Sequence, residues 1–347
     1  MHDVEDMPAR LRAFLARREP DAAQVEVHSY ETMTGGYSRL LAKADVSLTL
    51  RGVVRRETLV LRGDPLPGRS LIDTDRAIEW EVLRTVSEHG VRTSNPRYFD
   101  STGDELGTKA LVIDYQTAVS LLPYLADNTE HGQVVPAIAE AAASFHRIPL
   151  DRLPVALARP ASPDAYLTDR IGEWKRTAEH HVEDLPVLRF VSAWLSANRP
   201  APVPLTLIHG DFQSSNLMRD PDGRIVILDW ELAQIGDPRE DLGYFKAVAQ
   251  AAPPDLIELD ADAFCARYRE LTGLDETQLN PAVIAYFLVL GVIGTVRRLL
   301  EGGADYHRGT NTLLASLFNL NAVQFGQSMW LPVTRQLELA FAALKGA

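Results

Sequence analysis

Ile208-His209-Gly210-Asp211-Phe212-Gln213-Ser214-Ser215-Asn216-Leu217, followed by Ile225-Val226-Ile227-Leu228-Asp229-Trp230, is the stretch on which the reading of the chain turns. An apolar run, Leu205–Ile208, delivers a His-Gly-Asp turn, and an asparagine follows five residues after the Asp. A second apolar run, Ile225–Leu228, delivers another carboxylate, Asp229. Between Leu217 and Ile225, Asp220-Pro221-Asp222-Gly223 is a turn signal, with Pro presetting φ and Gly accepting the left-handed region. A hairpin here brings the loop and Asp229 to one end, so that Asp211, Asn216 and Asp229 can converge. Phosphoryl transfer to a hydroxyl uses these groups at roughly this spacing. One Asp orients and deprotonates the accepting hydroxyl, while an Asn and a second Asp hold the Mg²⁺ that neutralises nucleotide phosphates. His209 reads as a support of the loop rather than a proton shuttle.

Outward from this hairpin, the texture of the chain changes near residue 115. Before it lie β-like runs rich in Val, Leu and Thr: Gln24–Ser29, Arg39–Leu50, Thr58–Arg62 and Ala110–Tyr115. One helical stretch interrupts them, Asp73–Glu88, with Ile78, Val82 and Val86 spaced four apart. After it, Val134–Phe145, Ala165–Glu179, Val187–Asn198, Ala261–Leu271, Pro281–Leu300 and Thr312–Phe325 carry apolar residues at helical spacing. The expected class is therefore α+β. A small antiparallel β-sheet lobe with one key helix spans 1–115, and a larger, mainly helical lobe spans 116–347.

HGDFQSSN followed by ILDWELAQIGDPREDLGYF resembles the aminoglycoside phosphotransferase-like branch of the protein-kinase-like superfamily. Within it the chain is most similar to the phosphotransferase group that also occurs fused to acyl-CoA dehydrogenases. The resemblance runs from about residue 25 to about residue 325. It implies a two-lobed kinase-like fold, ATP or GTP as phosphoryl donor, and Mg²⁺. Asp211 then matches the catalytic base, and Asn216 and Asp229 the metal ligands. Asp241 resembles a buried Asp that supports the catalytic loop through backbone groups, and reads equally well as an Asp at a helix N-terminus.

On the nucleotide side, Thr34-Gly35-Gly36-Tyr37-Ser38 lies between two strand candidates and forms a tight turn. By the same resemblance, Gly35, Gly36 and Ser38 stand where backbone N–H groups approach a phosphate. Thr58-Leu59-Val60-Leu61-Arg62 places Arg62 where protein kinases carry a lysine. The chain has five lysines, and none lies between Lys43 and Lys109, so an arginine must serve. Its guanidinium is permanently charged and bidentate toward phosphate or carboxylate. Glu79 and Glu81 point about 200° apart on a helix, so only one can face Arg62. The resemblance favours Glu79 and leaves Glu81 on a solvated face. Leu111-Val112-Ile113-Asp114-Tyr115 resembles the hinge that meets a nucleotide base, with Asp114 contacting it through backbone groups. Gln116-Thr117-Ala118-Val119 lacks the glycine usual after that hinge, which leaves ATP against GTP open.

Composition bounds the setting. Hydrophobic residues make up 46% and charged residues 24% of 347, ordinary values that exclude a disordered or collagen-like chain. A net charge of −12 argues against a nucleic-acid partner, which needs a basic face. Cys265 is the single cysteine, so no intramolecular disulfide forms and a reducing, cytoplasmic setting is expected. Met1–Asp6 is acidic, unlike a secretory leader. The longest uncharged apolar run, Pro281–Val296, is shorter than the ~20 residues a bilayer span requires. No membrane partner is expected; a homodimer is left open.

The acceptor side is less informative. Glu231, Glu258 and Asp260 could attract a cationic acceptor, but read better as solvated helix faces. Arg297, Arg298 and Arg308 could meet an anionic group such as a carboxylate or a CoA phosphate. Trp174, Trp194 and Trp330 read as packing residues. The leading expectation is a kinase of a small-molecule hydroxyl, with a metabolite or hydroxyacyl acceptor favoured over an antibiotic. The alternatives are an aminoglycoside-type antibiotic kinase and a catalytically silent nucleotide-binding module.

Overall fold

The computed structural model describes residues 6–33, 40–64, 74–121, 123–124, 131–180, 187–251 and 260–291. The chain divides into two compact units, one comprising Met1–Glu88 and Thr93–Thr117, the other His89–Arg92 and Ala118–Ala347.

In the first unit, α1 (Met7–Arg18) precedes three long strands, β1 (Ala22–Thr32), β2 (Leu40–Leu50) and β3 (Val53–Gly63). Helix α2 (Arg76–Glu88) and two shorter strands, β4 (Pro96–Asp100) and β5 (Ala110–Asp114), complete it. The sheet order is β1-β2-β3-β5-β4, and every pairing is antiparallel. Apolar residues alternate along β2 (Ala42, Ala44, Val46, Leu48), so one face of the sheet is greasy. Helix α1 covers it with Met7, Leu11, Phe14 and Leu15, a helical stripe that joins the same core. The β2–β3 connection is two residues long, and both Arg51 and Gly52 sit at positive φ, as the twist of a tight hairpin demands. Strand β3 starts earlier than the apolar run suggests. Its exposed Val53–Arg56 segment is held by pairing to β2 rather than by burial.

The second unit is mainly helical: α3 (His131–His146), α4 (Pro163–His180), α5 (Val187–Ala197), α6 (Arg239–Ala251) and α7 (Ala261–Thr272), with helical residues 281–291. Trp174 and Trp194 lie in its apolar core with Leu167, Leu195, Tyr286 and Phe287. Helix α6 has no counterpart in the periodicity reading, since its polar first turn, Arg239-Glu240-Asp241, masks the pattern. Five short strands are described here: β6 (Val119–Ser120), β7 (Thr206–Ile208), β8 (Leu217–Arg219), β9 (Ile225–Ile227) and β10 (Gln234–Gly236). The hairpin runs β8 to β9, and β7 pairs with β10. Strand β8, only Leu-Met-Arg, is too short to show alternation in sequence. Among the described residues, no helix is long and apolar enough to cross a membrane.

Candidate functional site

The polar loop is built between β7 and β9. Asp220 accepts from the amides of Asp222 and Arg224, each at 2.9 Å, and closes the β8–β9 turn with Gly223 at φ 81°. At its other end, Asn216 ends a single turn, its amide donating to the Gln213 carbonyl at 2.9 Å. The Leu228 amide then donates to the Asn216 carbonyl at 2.9 Å, which brings the residue before Asp229 against the loop. Asp211, Asn216 and Asp229 are thus gathered at one end of a hairpin.

Two side-chain amides fix the Asp211 carboxylate. Gln213 Nε2 donates to its Oδ1 and Asn216 Nδ2 to its Oδ2, both at 2.7 Å. Asn216 Nδ2 also donates to the Asp211 carbonyl at 2.9 Å. With its NH₂ committed, Asn216 presents its carbonyl oxygen elsewhere, the end that suits a hard cation. Burial pushes the Asp211 carboxyl above the ordinary carboxylate range, and the charge of Asp229 adds to this, while the Gln213 and Asn216 bonds pull it back. Asp229 sits at φ 67°, a left-handed conformation that a non-glycine residue holds at a cost of about 1–3 kcal/mol. Strain of this kind persists where the surroundings impose it, and concentrates at functional sites.

The backbone before Asp211 is clamped by Asp241. The His209 amide donates to Asp241 Oδ2 at 2.7 Å and the Gly210 amide to Oδ1 at 2.9 Å. Asp241 lies in the first turn of α6, so both readings of it hold together. Gly210 is at φ 77°, and a Cβ there would lie 2.3 Å from the Leu232 carbonyl oxygen, so only glycine fits. His209 is fully buried: Nδ1 accepts from the Asp211 amide at 3.3 Å, and Nε2 donates to the Leu228 carbonyl at 2.9 Å. Both ring nitrogens are spent on holding the loop. His146 and Tyr268, which no local pattern marks, extend this network behind Asp241.

In the first unit, Arg62 Nε lies 3.3 Å from Glu79 Oε1, and both side chains are largely buried. Glu81 is exposed, as the helical spacing requires. Sequence reading missed Arg76, which is buried, contacts the other oxygen of Glu79, and donates from Nε to Asp64 Oδ1 at 2.9 Å. A signal was there: Arg76 and Glu79 share a helix face at i,i+3, and Arg62 and Asp64 share a strand face. Asp114 ends β5 with its carboxylate accepting from Arg97 Nη1 at 3.1 Å and Asn95 Nδ2 at 3.0 Å. Its amide donates to the Asn95 carbonyl, and that of Tyr115 to the Thr58 carbonyl, so a base contact at Asp114 falls to its carbonyl oxygen. Gly35, Gly36 and Ser38 lie outside the described residues, as do Glu258, Arg297, Arg298, Arg308, Trp330 and the 312–325 stretch.

Oxygen donors from one amide and one carboxylate fit Mg²⁺, which takes few protein ligands and completes its shell with water and substrate phosphates. Among the described residues no three His, Cys, Asp or Glu side chains converge to hold a metal by themselves.

Residues 42–279 match the family described as "Phosphotransferase enzyme family". Human acyl-CoA dehydrogenase family member 11 is 29% identical over 201 residues, covering 54% of this chain and 25% of that protein. The chain thus spans about a quarter of the length of the curated relatives it matches. These relatives agree with the resemblance to the acyl-CoA dehydrogenase-linked group. Among solved structures, Plasmodium vivax ethanolamine kinase superposes with a TM-score of 0.66 at 15% identity, over 97% of this chain and 91% of that one. The GDP complex of a mutant aminoglycoside 2'-phosphotransferase does so at 0.60 and 16%, over 95% and 98%. At such identities the likeness is one of fold, and it is the kinase-like fold expected.

Proposed function

The chain belongs to the phosphotransferase enzyme family, and on that premise we propose that it moves the terminal phosphoryl group of ATP or GTP to a hydroxyl of a small molecule. The observation that carries this reading is the gathering of Asp211, Asn216 and Asp229 at one end of the β8–β9 hairpin, with both Asp211 oxygens held by side-chain amides.

Asp211 accepts the proton of the acceptor hydroxyl as that oxygen bonds to phosphorus and the bond to the leaving nucleoside diphosphate breaks. Its raised pKa matches this task better than an ordinary exposed carboxylate would. Gln213 and Asn216 keep its oxygens aimed. Asn216 and Asp229 would hold Mg²⁺, which when bound neutralises charge on the nucleotide phosphates. In the first unit, Arg62 meets phosphate, Glu79 orients it, and the Asp114 carbonyl accepts from the base. The Gly35-Gly36-x-Ser38 turn would add backbone donors. We favour a metabolite or hydroxyacyl acceptor over an antibiotic, since the curated relatives include acyl-CoA dehydrogenase family members. The cytoplasm, which supplies nucleotide and Mg²⁺, is the setting we assign.

The test is thermal unfolding with Mg–ATP and with Mg–GTP. At least one should raise the wild-type Tm, and Asp229→Ala should lose that rise. No rise with either nucleotide would overturn the reading.

A further inference from the structure

We propose that Tyr268, on α7, is a remote positioning residue for the transfer step, acting on the loop before Asp211 through His146 and Asp241. This rests on the reading of Asp211 as the base.

Four elements meet in a buried line. The Tyr268 hydroxyl lies 2.7 Å from His146 Nδ1, at the end of α3. His146 Nε2 lies 3.0 Å from Asp241 Oδ2, on α6. Asp241 grips the amides of His209 and Gly210, directly before Asp211. Tyr268 is 0% exposed, and the side chains of His146 and Asp241 are 1% exposed each, so water offers none of them a substitute partner.

Proton placement along the line follows from the acceptors. Asp241 already receives two loop amides, and its third neighbour, His146 Nε2, must carry a hydrogen, because a lone pair there would face a carboxylate. In the tautomer with its hydrogen on Nε2, Nδ1 is an acceptor, and the Tyr268 hydroxyl supplies the hydrogen. Burial, and next the charge of Asp241, push the Tyr268 phenol well above its ordinary range, so it remains a donor. Tyr268 thus selects the tautomer that lets His146 donate to Asp241. Its own ring is stacked on Phe264 with an interplanar angle of 10°, and His146 is packed edge-on against Phe145.

The far end of the line gives it a bearing on chemistry. Gly210 has no room to shift toward Leu232, and the Asp211 amide is bonded to the His209 ring. The backbone held by Asp241 therefore sets where the Asp211 carboxylate stands. Loosening Asp241 misplaces the base while leaving Arg62, Glu79 and Asp114, which lie in the first unit, as they are.

The experiment compares wild type, Tyr268→Phe and His146→Gln. Tyr268→Phe keeps the ring and removes one oxygen; Gln keeps a donor for Asp241 should the first variant fold poorly. Amide hydrogen exchange is followed at His209 and Gly210, and nucleotide turnover is measured with water as acceptor. Tyr268→Phe should speed exchange at these two amides about tenfold and lower kcat by a similar factor, with KM for nucleotide unchanged. His146→Gln should fall between it and wild type. Wild-type exchange and turnover in a folded Tyr268→Phe overturn the proposal, as does faster exchange spread evenly over the second unit. Wild-type turnover in Asp211→Asn overturns the base reading, and this one with it.

Discussion

In the first unit the groups proposed to meet the nucleotide hold one another by charge: Glu79 lies between Arg62 and Arg76, and Arg76 rests on Asp64. In the second unit the Asp211 carboxylate is held by neutral amides, and the loop carrying it by backbone donors to Asp241. The two constructions fail differently. Removing one member of a buried ion cluster leaves a charge uncompensated. Removing one amide donor forfeits a single hydrogen bond, and the carboxylate keeps its other partner.

Asp211→Asn is the most damaging change expected. It should lower turnover by about 10²–10⁴-fold with the fold intact, since a base is lost while the clamp on Asp241 survives. Next comes the direct contrast between the two constructions. Arg76→Met should destabilise the protein by about 3 kcal/mol in urea unfolding, by taking one cation from the buried cluster and leaving Glu79 with Arg62 alone. Gln213→Leu should cost about 1 kcal/mol. Equal costs for the two would mean that the charged cluster and the amide clamp are held alike. Arg62→Met should raise the nucleotide KM about tenfold or more, through the loss of a charged hydrogen bond. Arg62→Lys should recover only part of this, because a lysine reaches phosphate as a point charge.

A smaller effect separates exposed from buried charge in the first unit. Arg18, and then Arg17, hold the Glu105 carboxyl below its ordinary range at the end of α1. A lowered carboxylate pKa adds stability that is present above the unfolded value and lost as pH falls through the folded one. Wild type should therefore lose its small advantage over Glu105→Gln below about pH 4, read from urea midpoints. Being largely solvated, this pair should matter far less than Arg76.

The same difference in construction explains what could be read in advance. Asp211, Asn216 and Asp229 fall within nineteen residues, and a turn signal between the strands announces their meeting. The Arg62–Glu79 pair was reachable because lysine is missing from that stretch and the helix permits only one of two glutamates. Arg76 was not, although its spacing to Glu79 was visible, since a buried arginine looks like a surface one until Asp64 and the helix are placed. Tyr268 and His146 carry no local mark at all: 122 residues separate them. Only packing of α3, α6 and α7 brings them together. Helix α6 was overlooked for a related reason, its first turn being polar residues that turn out to be buried.

Phosphorus NMR on a mixture of the protein, Mg–ATP and a panel of small hydroxyl compounds, antibiotics and hydroxyacyl thioesters among them, addresses the phosphotransferase reading most directly. A new phosphomonoester signal should grow with one class of acceptor as the γ-phosphate signal declines, and should be absent with Asp211→Asn. A phosphomonoester that forms equally well with Asp211→Asn would contradict the account.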